Sequence, residues 1–143
     1  EVMVSQPVLS SAASLRNTWL DIHWQGGGGV VPRAPVVRDG GRERLLPLIG
    51  MVERLDVDTE ESDGTIVYRV VNSGPWFTKL MVHKTHRGVV RFEALDGDAS
   101  STLIWCVSFE ASSALAAALL KSITQFTIST AARNVASAAE LRM

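Results

Sequence analysis

A chain of 143 residues can bury one real core and is too short for two ordinary domains. Charged residues make up 20% of it, mixed in sign and summing to −1, which leaves no basic field for nucleic acid and no polybasic patch for a membrane surface. The longest apolar runs, such as Ala114 to Leu120, fall far short of the roughly 20 residues of a membrane span, and the one cysteine, Cys106, excludes a disulfide within the chain and points to the cytoplasm or another reducing compartment.

In chain order, Glu1 to Val4 alternates enough to be the remnant of a first strand. No initiator Met and no signal-like segment precede it, which fits a processed or trimmed chain and leaves targeting unreadable. Pro7 opens a helical pattern from Val8 to about Ile22, capped by Ser10 or Ser11, with Leu9, Ala13, Leu15, Trp19 and Ile22 as its apolar positions. Gly26 to Gly29 end it; this is a flexible connection rather than a phosphate loop, since no lysine followed by Ser or Thr comes after it. Pro32 and Pro35 then confine the chain to an extended edge path into Val36, Val37 and the turn Asp39-Gly40-Gly41.

Strands follow at Arg42 to Ile49, at Met51 to Val57 and at Thr65 to Val71, the last β-branched almost throughout with Tyr68 near its middle. The carboxylate-rich loop from Asp58 to Gly64 lacks the glycine and terminal glutamate offsets of a calcium loop, so it reads as a solvated turn. Asn72-Ser73-Gly74-Pro75 turns the chain, and Thr78 to Leu95 reads as extended with a bend at Arg87-Gly88. Asp96-Gly97-Asp98 closes a hairpin with Thr102 to Glu110, whose Leu103, Trp105, Val107 and Phe109 share one face.

Ser112 or Ser113 caps a long helix from there to the end of the chain. At about 100° per residue, Ala116, Leu119, Leu120, Ile123, Phe126, Thr127, Thr130, Ala131, Asn134 and Ala138 share one side, with Lys121, Gln125, Ala132 and Ala136 opposite. The bulk along that stripe predicts an anchor at Leu119 to Phe126 and spare room for a guest from Thr127 to Asn134. An antiparallel sheet with one apolar face needs a cover, and this helix is the element long enough to supply it.

Four segments carry a resemblance. Trp19 to Trp24 (WLDIHW), Met51 to Asp56 (MVERLD), Tyr68 to Trp76 (YRVVNSGPW) and Thr102 to Glu110 (TLIWCVSFE) resemble, in order and spacing, the START-like helix-grip superfamily of polyketide cyclases and dehydrases, plant hormone receptors and lipid carriers. The resemblance implies a single α+β domain over residues 1–143, a curved antiparallel sheet of about six or seven strands wrapped around a long C-terminal helix, with one or two short N-terminal helices. It further implies an internal cavity, a gate at Ser73 to Phe77 and an opposing turn near Pro47 to Gly50. The chain departs from that pattern at its front, where the first strand is nearly missing and Gly26 to Gly50 is short.

Strand alternation puts Glu53 on the face of Met51 and Leu55, and the resemblance aims it into the cavity as an acid, a base or a polar anchor; the plainer alternative is a pair with Arg44 or Arg69. His83 shares a face with Met81 and Thr85, so Glu53 and His83 are the candidate acid/base pair, against a partly exposed, hydrogen-bonded His83. His86 falls on the opposite face, so no shared metal is expected, nor any cofactor. Ser73, Cys106 and Ser108 lack a nucleophile's setting. The candidate ligand-binding residues are Arg44, Tyr68, Trp76, Phe77, Met81, Trp105, Val107, Ile123, Phe126, Thr127 and Thr130, with the alternative that several are simply core. Three functions fit: binding of a small hydrophobic molecule such as a lipid or polyketide; a cofactor-independent cyclase or dehydratase; or an interaction protein whose pocket is filled.

Overall fold

The computed structural model describes residues 1–24, 36–38, 43–46, 50–56, 64–82 and 85–142, with backbone alone at 36–38, 76 and 96. Among the described residues, seven strands form one antiparallel sheet: β1 (Val2–Val8), β2 (Val36–Arg38), β3 (Glu43–Leu46), β4 (Met51–Leu55), β5 (Ile66–Asn72), β6 (Arg87–Leu95) and β7 (Ser100–Ser108). Their spatial order is β1-β7-β6-β5-β4-β3-β2, so the first strand of the chain closes against the last. Helix α1 (Ala12–Trp24) follows β1, the short α2 (Gly74–Phe77) follows β5, and α3 (Ala114–Leu141) ends the chain. The α+β architecture read from the sequence is the one observed.

The front of the chain corrects the sequence reading. Residues 2–8 form a full edge strand, with Val2, Val4, Gln6 and Val8 turned inward, and Pro7 is tolerated there because an edge strand can spare an N–H. The helix accordingly starts four residues later than Val8, where the Ser11 hydroxyl accepts the Ser14 N–H at 3.1 Å and the Asp98 carboxylate accepts that of Ala12. Leu9, expected in the helix's apolar stripe, is exposed, as is Ala13, whereas Leu15 and Trp19 are fully buried.

Gly88 marks no bulge. β6 begins at Arg87 and pairs without interruption with β7, and the glycine is needed because the Tyr68 ring of β5 crosses it: a Cβ there would meet Tyr68 Cζ at 2.1 Å. The irregularity lies instead between β4 and β5, where the register shifts at Val52/Glu53 and Met51, Val52 and Glu53 are buried in succession. Gly50 adopts φ +68° at the head of β4 and lies close under Pro75 of α2, so this turn and the expected gate segment are neighbours.

Most of the buried apolar residues fall into two groups. The larger gathers Val2, Leu15, Trp19, Trp24, Tyr68, Trp105, Val107, Ile128 and, from the second half of α3, Ala131, Ala132, Ala136 and Ala139; the smaller gathers Met51, Val70, Met81 and Leu120. Ser113 caps α3, its hydroxyl accepting the Ala116 N–H at 3.0 Å.

Candidate functional site

A cavity of about 250 Å³ lies between the sheet and α3 and is lined by members of both core groups. The sheet contributes Arg44, Leu46, Met51, Glu53, Tyr68, Trp105 and Val107; the segments flanking it contribute Phe77, Met81, His86 and Phe109. Helix α3 contributes Leu120, Ile123, Thr124, Thr127, Ile128 and Ala131, and α1 contributes His23. Nearly all of this wall is apolar, and the polar groups are few.

Two of those polar groups, Arg44 and Glu53, form an ion pair, while the His23 Nε2 and His86 Nδ1 atoms are buried without a hydrogen-bond partner among the described residues. Arg44 on β3 faces Glu53 on β4 directly across the ladder, and both side chains are buried. Arg44 donates from Nε at 2.8 Å and places Nη2 at 2.6 Å, both onto Glu53 Oε1. Its Nη1 donates to the carbonyl of His23 near the end of α1, and its guanidinium lies 4.6 Å from the centre of the Trp24 ring. Two neighbouring elements, β4 and α1, thus hold one cation, whose charge Glu53 compensates within the cavity wall. The two sequence alternatives for Glu53 are therefore both realised: it is paired with Arg44 and it lines the cavity. Arg69, the other candidate partner, pairs with Asp56 at the surface.

Above the ion pair stands an aromatic cluster. Trp19 stacks on Trp24 at 6.1 Å and on Tyr68 at 6.2 Å and meets Trp105 edge-on at 5.4 Å. Trp105 Nε1 donates to Tyr68 Oη at 2.9 Å. Burial, with the nearby Glu53 charge adding to it, pushes the Tyr68 hydroxyl well above its ordinary pKa, so it stays protonated. His23 sits between Trp19 and Trp105 at 5.0 and 5.3 Å, and burial, reinforced by Arg44, lowers its pKa from 6.5 to about 3. His86, stacked on Phe109, is also lowered, chiefly by burial. Both imidazoles are neutral at pH 7.

Of the residues singled out in the sequence, Arg44, Glu53, Tyr68, Phe77, Met81, Trp105, Val107, Ile123 and Thr127 meet at this cavity. His83 lies outside the described residues, as does the side chain of Trp76. Two placements are corrected: Phe126 is 68% exposed beside Lys121 and Arg133 on the outer side of α3, and Thr130 does not line the cavity but accepts from Arg133 at its surface. Asn134, placed on the same inner stripe, is exposed.

His23 and His86 were missed. His23 had a legible signal, lying four residues after Trp19 and eight after Leu15 on the buried face of α1. Strand alternation from His83 would turn His86 to the opposite face, but Met81 makes only an isolated bridge to Ala111 and β6 begins at Arg87, so alternation does not run through residue 86.

No protein-family profile matches this chain, and no curated protein matches it. Solved structures do. An aromatase/cyclase, Zhui, from Streptomyces sp. R1128 superposes with a TM-score of 0.70 at 15% identity, covering 99% of this chain and 93% of its own. A START superfamily protein from Mycobacterium smegmatis gives 0.69 at 14% identity over the whole of both chains. The protein XoxI from Bacillus cereus gives 0.73 at 15%, covering 99% and 97%. The fold is the START-like helix grip. Identities this low speak to the helix-grip architecture alone. Among the described residues, no helix of this helix-grip domain is long and apolar enough to cross a membrane.

Proposed function

We propose that this domain binds a small hydrophobic molecule in the cavity between sheet and α3, as a carrier or receptor. The observation that supports this is the cavity itself: about 250 Å³ walled by Met51, Met81, Trp105, Leu120, Ile128 and Phe109, with one compensated ion pair as its charged feature among the described residues. Apolar walls with a few fixed polar groups supply affinity by burial and orientation by hydrogen bonding. Glu53, with Arg44 on its Oε1, and Tyr68, held by Trp105, are the orienting groups. The cyclase or dehydratase reading draws on the same Glu53; a carboxylate tied at 2.6 Å to a buried guanidinium suits an anchor better than a group that shuttles protons. The filled-pocket reading is disfavoured by the cavity's volume.

Native mass spectrometry of the purified protein, followed by thermal-shift measurement across a panel of hydrophobic compounds, tests the proposal. A ligand at about one hundred times its Kd should stabilise the fold by about 2.7 kcal/mol, a shift of several degrees. An empty mass spectrum together with no shift across the panel would leave the interaction-protein reading in its place.

A further inference from the structure

The first half of α3 carries a second apolar surface, turned away from the cavity. Leu115 is 82% exposed, and Leu119, Ser122 and Phe126 are exposed with it; none of the four lines the cavity. Their spacing of four, three and four residues sets them in one line along the helix, the alternation by which two helices pack side chain into recess. Beside that line lies a shallow groove bounded by Lys121, Ser122, Gln125, Phe126, Ser129 and Arg133. Large apolar side chains clustered on the surface of a monomer mark a contact site.

The line is complementary to its own reverse. Turning the helix end for end about a point between residues 120 and 121 sets Leu115 opposite Phe126 and Leu119 opposite Ser122, so that a bulky residue meets a small one in the two central layers. That is the a-to-d layering of two antiparallel helices related by a twofold axis, which presents the same patch on both copies. Charge agrees with it. None of the four residues is charged, so the axis brings no like charges together, and a net charge of −1 gives two copies little to repel. An anionic bilayer is a poorer fit, since a basic residue near such a surface contributes about 1 kcal/mol. Lys121 and Arg133 are the cations of α3, and Lys121 is turned about 130° away from the line at 100° per residue.

We infer that this face of α3 is a dimer interface, on which a second copy of the chain lies antiparallel about a twofold axis between residues 120 and 121. Two such lines bury on the order of 1,000 Å² in all, the lower end for a specific contact, so the dimer forms at roughly tens to hundreds of micromolar.

Sedimentation velocity of the intact chain from about 1 µM to about 1 mM tests this. The sedimentation coefficient should rise from that of a monomer towards that of a dimer. Phe126→Glu and Leu115→Lys, at positions the monomer leaves exposed, should each weaken association at least about tenfold. Leu141→Glu, at an exposed leucine on the far end of α3, should leave it unchanged. Because the axis sets residue 126 opposite residue 115, mixing the first two variants pairs the new carboxylate with the new ammonium, and the mixture should associate more strongly than either variant alone. Association untouched by Phe126→Glu, or a mixture no stronger than its components, overturns the inference. So does an unaltered chain that stays monomeric at the highest concentration, and sedimentation of that monomer with phosphatidylserine vesicles would give the face to a bilayer instead.

Discussion

At the scale of single residues, the site is built by burial acting on titratable groups. His23 is 4% exposed, packed between two tryptophan rings, and its pKa falls from 6.5 to about 3. Because the folded state holds this imidazole neutral while the unfolded chain protonates it near pH 6.5, the unfolded state binds more protons across the window between them. Stability contributed by His23 is complete above pH 6.5 and is lost progressively as pH falls toward 3, at about 1.4 kcal/mol per pH unit, or about 2 kcal/mol by pH 5. His86, lowered in the same direction, steepens the trend. Urea unfolding from pH 7.5 to 4.5 should show this decline, and His23→Gln should be less stable near neutrality yet have a visibly shallower slope. An unchanged slope in the variant would mean that other groups carry the acid sensitivity. The sequence displays Glu53 as an inward carboxylate because it stands two residues from Met51, even though the register shift at Val52/Glu53 buries Val52 as well and breaks the alternation of β4. It hid the histidines, since one sits on a helix whose partners are distant in sequence and the other in a segment where alternation does not apply.

At the scale of elements, α3 shows why apolar bulk is a poor guide to facing. The sequence stripe counted Leu119, Phe126 and Asn134 as inner and Ala132 and Ala136 as outer; the structure reverses each, with Ala132 fully buried and Phe126 68% exposed. The true stripe runs Ala116, Leu120, Ile128, Ala131, Ala132, Val135, Ala136 and Ala139. Its alanines let the C-terminal half seat closely on β1 and α1, which larger side chains would hold away. The expected division of the helix is therefore inverted. Its alanine-rich second half is the anchor, and the cavity opens under its middle at Leu120, Thr124 and Thr127. Two substitutions test this. Ala132→Leu forces extra volume into a filled interface and should cost about 1–3 kcal/mol, whereas Phe126→Glu should stay within about 0.5 kcal/mol of the parent. Chemical denaturation of both variants is the check; a Phe126→Glu chain as damaged as Ala132→Leu would put the anchor back where the sequence stripe had it. The Ser113 cap and the Leu103-Trp105-Val107 face were legible because each is local: a hydroxyl three residues from the N–H it accepts, and a period of two within one strand.

At the scale of the whole molecule, closure depends on the strand that the sequence showed least clearly. β1 pairs along its full length with β7, about a hundred residues away, and forms one edge of the sheet. Its inner residues Val2 and Val8 belong to the same core group as Trp19, Trp105 and the alanines of α3. Pairing at such separation is costly in loop entropy, so it is stabilised by what it buries. Removing residues 1–8 would strip a hydrogen-bonded edge from β7, uncover the alanine face of α3 and leave Leu9 and Ser10 without their setting beside Glu140 and Ser101. The aromatic cluster over the cavity rests on this corner, because Trp105 sits on β7 and Trp19 on the helix that β1 leads into. A chain beginning at Leu9 should therefore lose its cooperative thermal transition, and with it the rigid-environment near-ultraviolet circular dichroism of the tryptophans, rather than merely widening the cavity mouth. Were the shortened chain to melt cooperatively with that signal intact, the cavity would be held by β3 to β7 and α3 alone, and the first strand would be an ornament to the grip instead of the piece that closes it.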